Sequence, residues 1–143
     1  VVAVDAVGSV TAPATGAPVA GARVAADSAA QVADPLSAIL AGASMPLSVL
    51  DRTNTTISCV TTNAKLTKAQ ATKVAQMCSD GYARAIAPSH TTNDGDSVFV
   101  LATGQVEMPV DLVGVLGQRV LADAVASGCR EARTAYGFPG AAG

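Results

Sequence analysis

The side chains able to do chemistry fall in two short stretches. "TNTTISCVTTN" at 53–63 sets Asn54, Thr55 and Thr56 directly before a β-branched run. A threonine hydroxyl is a weak nucleophile at neutral pH. If the Asn54–Thr55 bond opens, Thr55 gains an α-amine with a pKa of about 7.7–8 beside its own hydroxyl, and nucleophile and base then sit on one residue. In that opening the Thr55 hydroxyl attacks the Asn54 carbonyl, the acyl group shifts from nitrogen to oxygen, and water opens the ester. The plainer reading is a loop asparagine handing over to a strand whose threonines suit a pleated, half-exposed surface.

The second stretch is "NDGD" at 93–96. Asp94 and Asp96 flank a glycine that allows a tight turn, so both carboxylates could point into one site and hold an ammonium or accept hydroxyl hydrogen bonds. An Asp-Gly turn before a strand is also ordinary hairpin chemistry. The spacing of an EF-hand calcium loop is missing. His90 is the single histidine. It could act as a base or, with the aspartates, as a metal ligand, but in a polar loop we read it as a hydrogen-bonding residue. No cofactor or metal is expected.

The elements that must position these residues follow from the hydrophobic pattern. "VVAVDAVGSV" at 1–10 is β-branched and bounded by "TAPATGAP", which predicts a buried strand interrupted by Asp5. Residues 21–53 are rich in Ala, Ser and Pro with a weak helical patch over 36–40, and read as a linker. From 55 to 62 a strand is expected, with Thr55, Ile57, Cys59 and Thr61 on one face and Thr56, Ser58, Val60 and Thr62 on the other. Thr67 and Gln70 form a capping box, and Ala71, Val74, Ala75, Cys78 and Tyr82 make the buried stripe of a helix that ends before Pro88.

"SVFVLATG" at 97–104 predicts another short strand. After Pro109 a long helix is expected to bury Leu112, Val113, Leu116, Val120, Ala124 and Val125, with Gly114 and Gly117 allowing close packing. The tail "AYGFPGAAG" reads as irregular. The order is strand, linker, strand, helix, strand, helix, an α/β chain with helices packed on a sheet. Lys65 and Lys68 read as solvated charge, and Tyr82 and the cysteines as core.

Composition narrows the function classes. The chain has 143 residues, 50% of them hydrophobic and mostly Ala and Val, with 3% aromatic and 14% charged. That length suits one domain with small-residue packing. A net charge of −2 offers no basic field for nucleic acid or for an anionic membrane surface. Asp, Arg or Gly interrupts the apolar runs short of the ~20 residues a span requires. Cys59, Cys78 and Cys129 form no CxxC pair, so reduced thiols and a cytoplasmic setting are expected.

Taken together, "NTTISCVTTNAKLTKAQATKVAQM", "DGYARAIAPSHTTNDGDSVFVLATG" and the opening "VVAVDAVGSVTAPATG" resemble the P1 peptidase family, the group of L-aminopeptidase/D-esterases, β-peptidyl aminopeptidases and nylon-oligomer hydrolases. The likeness runs over essentially the whole chain, which corresponds to the C-terminal part of a usual family member. It implies an N-terminal nucleophile hydrolase with an αββα sandwich, of which this chain supplies part, matured by cleavage before the nucleophile. By position the nucleophile is Thr55 and the residue released is Asn54. The family's short acidic or hydroxyl motif falls on Asp94 and Asp96, which would orient Thr55 and its amine. The family's strand asparagine falls on Asp5. An ionised Asp5 accepts hydrogen bonds but cannot donate one to an oxyanion, so it is either kept protonated by burial or binds the Thr55 amine.

The resemblance also divides the chain. Residues 1–54 would be a strand plus variable linker ending at the processing site, and 55–143 the nucleophile-bearing segment, together part of one domain. A Gly-rich amino-terminal half is expected as a separate chain or missing segment, because this half alone leaves sheet edges and an apolar face uncovered. A small peptide or amide-oligomer substrate and a homo-oligomer are the expected partners. The expected reaction is amide hydrolysis through an acyl-enzyme on Thr55. The alternatives are acyl transfer of the ornithine acetyltransferase type, or a non-catalytic assembly subunit in which Thr55 stays in a peptide bond.

Overall fold

A computed structural model describes residues 1–22, 40 and 54–142. The linker expected over 21–53, with its helical patch, lies almost entirely outside these residues. Among the described residues six strands and two long helices follow in the order β1 (Val2–Ala3), β2 (Ser9–Thr11), β3 (Pro18–Ala20), β4 (Ile57–Ala64), α1 (Lys68–Ala85), β5 (Ile86–Ala87), β6 (Ser97–Val106) and α2 (Val110–Glu131). The strands make two three-stranded sheets, ordered β1-β4-β6 and β3-β2-β5.

β4 and β6 run parallel, with Ile57 opposite Ser97 and Val60 opposite Val100, and α1 lies in the connection between them. Their even-numbered side chains meet the helices: Thr56 and Ser58 are buried, and Val60, Val98 and Val100 pack on the core. The face assignment made from alternation therefore holds on β4 and extends to β6, which is longer than expected.

Capping defines where α1 begins. Thr67 accepts a hydrogen bond from the Gln70 backbone N–H at 3.3 Å, and the Gln70 side chain accepts one from the Thr67 N–H at 2.8 Å. The two bonds satisfy donors that a helix start leaves orphaned. Val74, Cys78, Gly81, Tyr82 and Ala85 then form the buried stripe. Ala71 and Ala75 lie at its margin, only half-buried.

Three expectations are corrected. The single strand over 1–10 is two strands in different sheets. β1 pairs antiparallel with β4, and β2 pairs with β5. Between them, where the chain crosses from one sheet to the other, Gly8 passes so close to the β5 end that an added Cβ would lie 2.1 Å from the Pro88 carbonyl oxygen. The second sheet itself was not foreseen, because strands of two or three residues are too short to show a period of two.

The third correction concerns α2. Its buried residues are Val113, Gly114, Gly117, Leu121, Ala122, Val125 and Ala126, whereas Leu112, Leu116 and Val120 of the expected stripe are exposed. Gly114 and Gly117 set the rotation. A Cβ at Gly117 would meet Cys78 Sγ at 2.5 Å, and one at Gly114 would meet Met77 Sδ at 2.4 Å. The closest α1–α2 approach therefore runs along the glycine side, and a second apolar stripe is left facing outward. By length and composition alone α2 could cross a membrane. Its packing on α1 and the charges of Asp111, Arg119, Asp123 and Arg130 lead us to read it as a core helix.

Both helices cover one face of the first sheet, and the short second sheet adds Val10 and Ile86 to the same core. The opposite face of the first sheet carries large apolar side chains that the described residues leave exposed. Ile57, Phe99 and Leu101 point there, with Phe99 60% and Leu101 57% exposed.

Candidate functional site

The site forms where β1, β4 and β6 come level. Thr55 precedes β4 and is half-buried. Its Oγ1 donates to the carbonyl oxygen of Asn54 at 2.6 Å, so the hydroxyl lies against the Asn54–Thr55 peptide unit. The Thr55 N–H donates to the Asp5 carbonyl oxygen at 2.9 Å, and the Gly95 N–H donates to the Asn54 carbonyl oxygen at 3.1 Å. Asn54 also bridges Asp94 in parallel fashion. Asn54, Thr55, Asp5 and the NDGD loop, far apart in sequence, are thus brought together.

Asp5 enters in an unforeseen way. It is exposed, so the burial offered above as one alternative is not found, and it is the Asp5 main-chain carbonyl that meets the Thr55 nitrogen. Any residue type at position 5 supplies that carbonyl, which is why side-chain reasoning missed it.

The two aspartates do not converge on Thr55. Asp94 Oδ2 accepts from the Thr91 hydroxyl at 2.8 Å and the Thr91 N–H at 3.1 Å, and Oδ1 accepts from the Val7 N–H at 3.4 Å. Its carboxylate closes the loop and ties it to the segment between β1 and β2. Asp96, with a side chain only 4% exposed, accepts from the Thr56 N–H at 3.0 Å through Oδ1. Oδ2 accepts from the His90 N–H at 3.3 Å and lies 3.3 Å from His90 Nδ1. Among the described residues neither carboxylate hydrogen-bonds to Thr55. Each fixes backbone that borders it.

His90 therefore lies behind Asp96, with its ring also 3.3 Å from Ser79 Oγ on α1. Its φ of 55° lies in the left-handed region, which is uncommon for a residue with a side chain. The loop reading of His90 fits this placement, and its partner is one of the candidate aspartates.

Two further residues shape the site. Tyr82 is fully buried, and its Oη lies 2.7 Å from Ser58 Oγ, 2.9 Å from the Ser97 carbonyl and 3.2 Å from the Thr56 carbonyl. It ties the starts of β4 and β6 together from below. Burial pushes its phenol above the ordinary range, the hydrogen bond with Ser58 opposes that, and the nearby Asp96 charge adds to it. Helical spacing marked Tyr82 as core, and only the fold shows what its hydroxyl holds.

The other is Gly95. An added Cβ would lie 2.6 Å from Thr55 Oγ1. Its φ is not among the positive ones, so glycine is required here by contact with Thr55 and not by a left-handed turn. Among the described residues no three His, Cys, Asp or Glu side chains gather in a way that could hold a metal.

Residues 2–137 match the model of Peptidase family S58. An uncharacterized aminopeptidase of Mycobacterium tuberculosis is 36% identical over 157 aligned positions, covering 95% of this chain and 44% of that protein. One from Mycobacterium leprae is 50% identical over 68 residues, covering 48% of this chain and 19% of the relative. A 6-aminohexanoate-oligomer endohydrolase of Agromyces is 33% identical over 61 residues, covering 43% of this chain and 17% of the relative. The chain thus spans less than half the length of these relatives. With the family model matched along nearly its full length, the chain belongs to Peptidase family S58.

Proposed function

We propose that this chain carries the nucleophile of an autoprocessing amide hydrolase, with Thr55 as nucleophile and the Asn54–Thr55 bond as the processing site. The observation that carries this reading is the 2.6 Å hydrogen bond from Thr55 Oγ1 to the Asn54 carbonyl. In the opened chain the Thr55 amine takes the proton from its own hydroxyl as that oxygen attacks a substrate amide carbonyl. It then delivers the proton to the leaving amine, and water releases the acyl-enzyme. The Asp5 carbonyl, which meets the Thr55 nitrogen at 2.9 Å, is placed to accept a hydrogen bond from the freed ammonium or amine. Asp94 and Asp96 act as orienters through the backbone they hold.

The names of the relatives, aminopeptidases and a 6-aminohexanoate-oligomer endohydrolase, favour water over an amine as acyl acceptor and an amide in a small peptide or oligomer as substrate. The bare apolar face of Phe99 and Leu101, together with a span below half that of the relatives, supports an αββα sandwich. The sheet that stacks on that face would come from outside these residues, in a larger and oligomeric cytoplasmic protein.

Mass spectrometry of the fully assembled protein should show one fragment ending at Asn54 and another beginning at Thr55, and Thr55→Ala should leave the bond intact. An uncut chain in active assembled protein sinks the processing claim and favours a non-catalytic subunit. Hydrolysis of a β-alanyl or D-alanyl amide, compared with an aminohexanoate oligomer, decides between aminopeptidase and oligomer hydrolase.

A further inference from the structure

We infer that the main-chain N–H of Gly95 is the oxyanion donor for opening the Asn54–Thr55 bond, and that position 95 must be glycine so that the attacking hydroxyl can sit there. The inference rests on the reading of Thr55 as the nucleophile and names the donor that reading lacked.

Attack on an amide carbonyl puts negative charge on its oxygen, and a donor already aimed at that oxygen stabilises the charge without reorganising. The Asn54 carbonyl is held from two sides. Gly95 N–H donates to it at 3.1 Å, and Thr55 Oγ1–H donates to it at 2.6 Å. The hydroxyl must give up its bond to attack, whereas the Gly95 N–H loses nothing and can strengthen as charge grows. Asp5 turns its carbonyl to the Thr55 nitrogen, and a carbonyl cannot donate to an oxyanion.

The loop is built to hold this donor. Asp94 is fixed by Thr91, Asp96 is fixed by the Thr56 N–H, and Gly95 lies between the two anchors. The missing side chain is equally specific, since a Cβ would stand 2.6 Å from Thr55 Oγ1 and push the nucleophile off the carbonyl.

The chemistry balances with water as the only added reactant. A bond forms between Thr55 Oγ1 and the Asn54 carbonyl carbon, and the carbonyl oxygen takes the negative charge against the Gly95 N–H. The bond from that carbon to the Thr55 nitrogen then breaks. The nitrogen keeps the electron pair and receives the proton given up by the hydroxyl, becoming the free α-amine. Water adds to the resulting ester, leaving the Asn54 carboxylate and the restored Thr55 hydroxyl.

The test replaces the Asp94–Gly95 amide with an ester by substituting glycolic acid at position 95 in the full-length protein, which removes the N–H and leaves every side chain in place. Opening of the 54/55 bond is followed by mass spectrometry beside wild type, Thr55→Ala and Gly95→Ala, with a circular-dichroism melt confirming that each is folded. The ester should slow opening by roughly 100- to 1000-fold, the usual loss for one oxyanion donor. Gly95→Ala should also slow it while keeping its N–H. An ester variant that opens within about threefold of wild type, while Thr55→Ala stays closed, overturns the Gly95 assignment and leaves the threonine reading standing. A wild type that never opens, or a Thr55→Ala that does, overturns both. If the ester variant does not fold, Gly95→Ala decides: opening at the wild-type rate overturns the inference.

Discussion

The two faces of the β1-β4-β6 sheet are unlike, and the difference runs against the simple rule that apolar faces go inside. The helix-covered face begins with Thr56 and Ser58, both fully buried, while the bare face carries Ile57, Phe99 and Leu101. The inner face accommodates the Ser58 hydroxyl because Tyr82 reaches up from α1 to it and to the carbonyls of Thr56 and Ser97, whereas the Thr56 hydroxyl gains nothing from Tyr82. Burying a polar group costs little once it is paired. The outer face has no such fittings and large apolar side chains, which is what a sheet shows when another layer is to cover it. One face is finished within these residues and holds the site. The other is not.

This contrast can be broken by substitution on either side. The largest effect is expected for Tyr82→Ala, which empties a fully buried position and frees the starts of β4 and β6. Chemical denaturation should show a loss of about 3–5 kcal/mol, and a loss below about 1 kcal/mol would mean that the inner face does not depend on Tyr82.

Next come the titratable groups of the helices that cover that face. Burial pushes the Cys78 thiol up to about 11, and raises Cys129 and Tyr82 in the same direction. A raised value means the folded state keeps its proton after the unfolded chain has lost it. For Cys78 the stabilisation is complete below about pH 9 and is lost as pH climbs towards 11. Melting temperature should fall across that window, and Cys78→Ala should flatten the fall by on the order of 1 kcal/mol.

A smaller change is expected at Thr56, whose Oγ1 is buried without a hydrogen-bond partner among the described residues. Thr56→Val keeps the shape and removes the orphaned group, so it should be neutral or stabilise by up to about 1 kcal/mol. A clear loss would show that the hydroxyl has a partner. On the outer face Phe99→Ser should change the stability of this chain by no more than about 0.5 kcal/mol, because Phe99 is mostly solvated. A loss of 2 kcal/mol would show the face already covered.

How far the fold could be read in advance differed by element. Wherever the pattern was long and its signal local, reading and structure agree: the capping box at Thr67, the stripe through Val74, Cys78 and Tyr82, and the alternation along β4. Agreement failed where an element had apolar residues on more than one side. The helix α2 offers two stripes, and only the closeness of Gly117 to Cys78 decides which one turns inward. Short pairings such as β2 with β5 leave no periodic trace.

The site divides along similar lines. Thr55, Asn54 and the NDGD loop stood out by residue type, and the structure brings them together. Their partners were hidden because they are backbone groups: the Asp5 carbonyl and the Gly95 N–H belong to every residue type and so leave no mark in composition. Gly95 was visible as a glycine, but the reason for it, contact with Thr55 Oγ1, lies forty positions away along the chain.

Side-chain identity alone determined which residues of this protein can react and which local elements carry them, since nucleophilicity, capping and periodicity are properties of neighbours in sequence. Which face of α2 is buried, which carbonyl meets the Thr55 nitrogen, and which N–H points at the Asn54 oxygen were decided only by tertiary structure. Those contacts join segments whose approach is set by packing, and main-chain groups acquire direction only once the chain is folded.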